Sequence, residues 1–284
     1  MMRRQKEKFT NSMNPAIKFL CYLIMAVVVI ISIYPLLWVF LSSFKGDIAG
    51  SSGLSLPKEL VFDGYISIFT KLKVHIYYFN SFVITIASTL ISVLFVAMAA
   101  YVSGRMEFKG KSLVTFMFST TLFIPSIAIS FPIYRLTRSL GLYNTRAALI
   151  FVYSGLGIAV TYFIIRSYFL TIPMEMEEAA YMDGSGYTKT FFSIILPLAK
   201  PGLSTAGILA FLNNWNEFYF ASLLLQDREV MTLPALLGQF KTAFSQDLSG
   251  MFSAIVVMVI PTIIIFCCFS ETFVKSLTAG GVKG

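Results

Sequence analysis

Charged side chains are scarce in this sequence, 13% of 284 residues, where an ordinary soluble domain carries about a quarter. Hydrophobic residues make up 57%, well above the roughly half found in soluble domains. A water-soluble domain of this length could hardly hide so much apolar surface, so lipid is the expected solvent. Histidine occurs once, as His75, with no His, Cys or carboxylate cluster around it. Cysteine occurs three times. Cys21, Cys267 and Cys268 all sit in apolar runs, with neither metal-ligand spacing nor a disulfide framework, and are expected to be small core residues. A Ser/His/Asp set and carboxylates paired as in a glycosidase are also missing, so the chain reads as non-catalytic. The formal net charge of +8 would suggest nucleic acid in a soluble protein. Here the basic residues stand between apolar runs, where topology selection accounts for them.

What is present in abundance is long uncharged sequence. A helix rising 1.5 Å per residue needs about 20 apolar residues to cross a hydrocarbon core of about 30 Å. Runs of that kind cover residues 19–44, 76–104, 112–134, 147–165 and 248–270, and a sixth at 201–226 is interrupted only by Glu217. None alternates in the manner of a membrane β-barrel. The expectation is an all-α polytopic membrane protein with six transmembrane helices. The basic start, residues 1–18, resembles that of a signal peptide, but the 26 uncharged residues that follow are too many for one and no cleavage site closes them. The first span is therefore read as an uncleaved anchor. With the N-terminus inside, 13 Lys and Arg fall on the cytoplasmic side and 9 outside. The N-terminus and the short Arg105–Lys111 loop carry that orientation. The connection Lys45–His75 then lies outside, and 166–200 and the tail 271–284 lie inside.

The inner loop 166–200 holds the most information. Pro173 suits a first helical position, and Glu175, Glu177 and Glu178 complement the positive end of a helix dipole. Gly184 is placed to end that helix in a left-handed cap. Met176, Ala179 and Ala180 share one shallow face. A second helix is expected from about Ser185 to just before Pro197, with Tyr187, Phe191 and Ile194 or Ile195 as its apolar stripe. Two short helices bent at a glycine make a compact knob too polar for lipid. Two readings stand: a docking element, or a loop that caps its own bundle.

Glu178-Ala179-Ala180, Gly184 after three residues and Ile194-Ile195-Leu196-Pro197 after nine more resemble the EAA motif of bacterial ABC importer permeases. The likeness extends to Asp183-Gly184, Asn216-Glu217-Phe218 and the tail Leu277–Gly284, as in MalG-type subunits of carbohydrate uptake systems; Gly281 departs from the more usual alanine. The resemblance implies a type I ABC importer (MetI-like) permease fold in a bacterial inner membrane, with both termini cytoplasmic, a five-helix core and a peripheral first span. It implies that Glu178, Ala179, Ala180, Asp183, Gly184, Ile194, Leu196 and Pro197 form the coupling element. The implied partners are two cytoplasmic ATPases, which carry the ATP and Mg, a second related permease, and an extracellular solute-binding protein; no nucleic acid is involved.

Other motifs weigh less. Gly110-Lys111-Ser112 ends like a phosphate-binding loop, but five residues separate Gly104 from Gly110 where the motif needs four. Glu217 is an ionisable residue inside a span, a functional candidate by default. With Asn213 and Asn216 it is expected on one helical face, turned either to a partner permease or wet cavity, or to structural hydrogen bonds. Pro125 and Pro132 bracket half of the third span, as a gate or as packing kinks. The aromatic content of 15% fits sugar-binding faces and interfacial belts equally.

The leading reading is half of a sugar translocation pathway working by alternating access. The alternatives are an ABC permease for polyamine, amino acid or phosphate, and a self-sufficient secondary transporter, against which the single midspan carboxylate and the lack of an obvious repeat count. The topology has a direct check: a cysteine probe at Leu56 should react with an impermeant reagent from outside, and one at Asp183 should not. The opposite pattern would reverse the orientation of the loop.

Overall fold

The structure, a computed structural model, describes residues 14–46, 55–243 and 248–281. It is helical, with α1 Pro15–Ser42, α2 Asp63–Thr70, α3 Val74–Arg105, α4 Lys111–Thr120, a 3-10 turn Ser126–Ile129, α5 Ser130–Ser139, α6 Arg146–Gly155, α7 Ile158–Phe169, α8 Glu175–Met182, α9 Tyr187–Leu198, α10 Lys200–Trp215, α11 Tyr219–Leu224, α12 Leu233–Ala243 and α13 Leu248–Gly281. The basic N-terminal segment before Asn14 lies outside the described residues. Two compact units divide the chain, Met1–Leu72 with Gln246–Val257, and Lys73–Ser245 with Met258–Gly284.

In the first unit, Pro15 opens α1 and the Asn14 side chain accepts from Ala16 N at 3.0 Å, so the helix starts with a preset φ and a satisfied donor. The end of α1 is fixed by aromatic contact of Phe44 with Phe62 and Tyr65, and by a 2.8 Å hydrogen bond between the Ser43 and Tyr65 hydroxyls. Trp38 meets Phe252 edge to face. Gly64 lies so close to Ser249 and Ser253 that a β-carbon there would stand 2.5 Å from the Ser249 hydroxyl.

In the second unit, α3 is the central element, packed by α6, α7 and α10. Its buried face carries Ser81, Thr85, Ser88, Ser92, Ala97 and Ala100. Small residues are what close helix packing in lipid requires, because a larger apolar side chain gains no more against a neighbour than against a lipid tail. Two of the α3 hydroxyls bond back to their own helix: Ser88 donates to Ile84 O and Ser103 to Ala99 O, both at 2.7 Å.

Among the described residues, three helices are long and apolar enough to cross a membrane, Pro15–Ser42, Val74–Arg105 and Leu248–Phe269. Two bent pairs qualify together, α6 with α7 at 50° and α9 with α10 at 77°. The uninterrupted spans expected from sequence are thus interrupted in three places. The run 112–134 breaks after Thr120, because Pro125 is extended and lacks a donor, and the chain resumes through the 3-10 turn into α5. Pro132 sits in the first turn of α5, where it costs little. The run 147–165 breaks at Gly155–Gly157, where Gly157 adopts φ +69°. The run 201–226 ends its first helix at Trp215. The last helix, in contrast, continues past residue 270 to Gly281, so the segment expected as a tail is helical as far as Gly281. Cys21, Cys267 and Cys268 are exposed, not core; in lipid an apolar run faces outward as readily as inward.

Candidate functional site

The inner loop folds as two short helices. Pro173 lies before Met174, the N-cap of α8, and so outside the first helical position expected for it. All three glutamates fall in the first turn. At the other end, Gly184 has φ +79°, its N–H bonds Tyr181 O at 3.0 Å, and Ser185 N–H bonds Ala180 O at 2.9 Å. That pair of bonds is a Schellman motif, which satisfies carbonyls the helix leaves open. A β-carbon at Gly184 would meet nothing within 4 Å, so the demand for glycine is purely conformational, roughly 1–2 kcal/mol for a residue with a β-carbon. Helix α9 begins at Tyr187, runs through a π turn at Phe191–Ile195, and passes Pro197 to end at Leu198. The widened turn, in which Leu196 N–H reaches Phe191 O, accommodates the proline that was expected to end the helix.

The knob is fastened to the bundle by a buried ion pair. Arg105, the last residue of α3, places Nε 2.8 Å from Glu177 Oε1, and both side chains are 5% exposed. The Tyr101 hydroxyl donates to the other Glu177 oxygen at 3.0 Å. A second Arg105 nitrogen donates to Ile172 O at 2.6 Å and to Pro173 O at 3.4 Å. One guanidinium therefore holds both the entry turn and the first turn of α8. Phe191 packs on the Tyr101 ring at 5.0 Å and Phe169 at 6.3 Å, which closes the same corner from α9. Removing one member of such a pair strands the other in low dielectric, a loss of about 3–5 kcal/mol.

Glu177, Ala180, Phe191 and Ile195 thus point inward, with Ile194 and Leu196 half-buried. Glu178, Ala179, Asp183, Gly184 and Pro197 point outward. The outward face also shows Met176, Tyr181, Met182 and Tyr187, with Met182 88% and Tyr187 66% exposed. Ala179 and Ala180 do not share a face. Tyr187, expected in the apolar stripe of α9, stands outside it.

The residues 213–217 do not form one helical face. Helix α10 stops at Trp215, Asn216 is its C-cap with Nδ2 donating to Leu212 O at 2.8 Å, and Glu217 lies between the helices, just before Phe218, the N-cap of α11. The Glu217 carboxylate accepts from Phe220 N at 2.9 Å, from Ala221 N at 3.1 Å and from the Tyr153 hydroxyl at 2.6 Å. It is a helix cap for α11, tied to α6. Asn213 and Asn216 are exposed. The buried amide of this segment is Asn214, 3% exposed, whose Nδ2 donates to Ser88 Oγ on α3 at 3.1 Å.

Comparison with known proteins settles the class. A family model described as "Binding-protein-dependent transport system inner membrane component" matches residues 97–278, more than half of the chain. The chain belongs to this family. Among curated relatives of this inner membrane component, the "Probable ABC transporter permease protein YurM" of Bacillus subtilis is 38% identical over 252 residues, covering 88% of this chain and 84% of the relative. The "Diacetylchitobiose uptake system permease protein NgcG" of Streptomyces coelicolor is 33% identical over 255 residues, covering 88% and 84%. A solved bacterial ABC transporter involved in import of the acidic polysaccharide alginate contains a chain with TM-score 0.79 and 22% identity, covering 90% of this chain and 96% of that one; at that identity the likeness concerns the fold. The inner membrane component thus has the MetI-like architecture expected, with three helices and two bent pairs as its candidate crossings.

In this family member the sequence marks Arg105 as an orienting charge and Glu177 as a dipole partner, but neither their pairing nor the Tyr101 bond. A signal existed: Arg105 closes an apolar run and Glu177 opens a short helix, so each charge needed a partner. No pattern in the sequence says that they meet. The role of Glu217 as a cap has a thermal test. Glu217→Gln keeps one acceptor oxygen where the carboxylate supplies two, and Glu217→Leu keeps none. The purified chain should melt in the order wild type, Gln, Leu, with Leu losing about 2 kcal/mol or more, as a lost cap with stranded donors does. Equal melting of all three in a thermal-shift assay would contradict the cap.

Proposed function

We propose that this permease is one of two related membrane subunits of an ATP-driven sugar importer and that loop 166–200 couples it to cytoplasmic ATPases. In this reading the chain crosses the membrane six times, with the third crossing made through the broken segment 111–139, and both termini face the cytoplasm. An extracellular binding protein delivers the solute. Alternating access follows from closure of the ATPases, which bind the ATP and Mg; the permease itself does no chemistry.

The observation that carries the coupling role is the two-sided construction of the knob. Its inner side is fixed by charge and aromatic packing, while its outer side leaves Met176, Met182 and Tyr187 bare, beside Glu175, Glu178 and Asp183. Large apolar side chains clustered at the tip of a polar loop mark a protein interface, and methionine suits a surface that must stay in contact while its partner moves. Glu178, Ala179, Asp183 and Gly184 lie on that side and contact the partner. Ile194, Leu196 and Pro197 set the position of the second helix behind it. Asn213 and Asn216, exposed on this chain, are assigned to the translocation pathway or to the second permease, with Glu217 as their structural support. The sugar assignment rests on the MalG-type residues in the loop and tail and on the similarity to a diacetylchitobiose uptake permease.

Gly184 gives the decisive variant. Gly184→Val forces a branched side chain into a left-handed conformation and redirects two short helices about their hinge. It should leave the protein at normal abundance in the membrane and reduce ATPase co-purification and solute uptake at least tenfold. Gly186→Ala is the control, since Gly186 has φ −79° and open space for a β-carbon, and it should behave almost as wild type. Full uptake with Gly184→Val would contradict the coupling role.

A further inference from the structure

Among the described helices of spanning length, α3 alone contains no proline, for α1 carries Pro35 and α13 carries Pro261. The other two candidate crossings are bent by 50° and 77°. At 32 residues, α3 is about 48 Å long, longer than a hydrocarbon core is thick. Both of its ends grip loops with buried polar side chains. At one end Arg105 holds Glu177 and the carbonyls of Ile172 and Pro173. At the other end Asn80, fully buried, donates from Nδ2 to Glu229 O and Met231 O, both at 2.9 Å, and Ser81 Oγ accepts from Leu233 N at 2.8 Å. The loop so gripped is braced again from α6, where Arg146 reaches Glu229 O, and by Asn144, whose Oδ1 accepts from Gln226 N and Asp227 N.

We propose that α3 is a rigid strut that keeps the inner knob and the loop at residues 226–231, on the opposite face, in fixed register, with Arg105, Glu177 and Asn80 as its positioning residues. The proposal rests on the coupling reading only for the identity of what pushes on the knob. A loop held by one surface contact would follow its partner independently of the bundle. A loop held by a buried charge on the end of an uninterrupted, proline-free helix must carry that helix with it, and the Asn80 clamp passes the displacement to the opposite face.

The test is a distance across the chain in the assembled transporter in lipid nanodiscs. With Cys21, Cys267 and Cys268 replaced by alanine, spin labels are placed at Lys189→Cys and Arg228→Cys, both exposed positions outside the gripping residues. Electron-electron double resonance should return one narrow distance that Mg-ATP with vanadate does not change by more than about 2 Å, well under the one-turn shift of 5.4 Å by which packed elements ratchet. Glu177→Gln, which removes the charge and keeps the shape, should at least double the width of the distribution without nucleotide. Asn80→Ala should do the same from the other end, and Tyr101→Phe, which deletes one hydrogen bond and no charge, should broaden it less. A nucleotide-dependent jump in the parent distance, or unchanged widths in both Glu177→Gln and Asn80→Ala, overturns the strut. Loss of ATPase from the parent complex would instead overturn the coupling reading, and the widths measured without nucleotide would still decide the strut.

Discussion

Arg105 ends a long helix with a charge that cannot remain dry and alone, and the geometry of the inner loop follows from how that charge is met. Apolar burial gives little direction to a loop at the edge of a lipid-embedded bundle, since its outer side chains find water and the bundle's find lipid. A desolvated guanidinium is more demanding. It takes Glu177 as counter-charge and two carbonyls of the entry turn as acceptors, which fixes both the position of α8 and its rotation about its own axis. Once that rotation is set, Ala180 faces inward, Met182 faces outward, and the left-handed turn at Gly184 aims the second helix back across Tyr101 and Phe169.

The same constraint governs the broken helices. Backbone donors and acceptors released at a break inside a membrane protein must be taken up by the protein itself. Glu217 does this for the start of α11, with two backbone donors on one carboxylate. Thr145 does it for α6, accepting from Ala148 N at 3.3 Å. The π turn of α9 answers Pro197 by a shift of backbone register. These devices let the chain bend where a straight helix would be easier to insert, and α3 is the uninterrupted, proline-free helix against which the two bent pairs pack.

Much of this is legible in the sequence. Run length identified the apolar segments, and the glutamates and Gly184 located both ends of α8, because dipole complementation and positive φ leave local marks. What was not legible depends on contacts between distant segments. Glu178 was the glutamate singled out from the motif, yet Glu177 is the buried one; adjacent residues differ by about 100° around a helix, and only the position of Arg105 decides which of them turns inward. Glu217 shares a face with Asn213 and Asn216 only if one helix continues through Asn216, and the helix ends at Trp215. Core placement of the cysteines follows from a rule that holds in water, where apolar means buried, and fails where the outside is lipid.

The central claim is that the outer side of the knob is a contact surface for a cytoplasmic ATPase while its inner side belongs to the permease. A photo-crosslinking amino acid at Met182, the most exposed large apolar residue of the loop, tests it in intact membranes. The account predicts an adduct between this chain and an ATPase subunit from Met182, and none from Ala180, two residues earlier and on the buried side of the same helix. No ATPase adduct from Met182, or equal adducts from both positions, would contradict it.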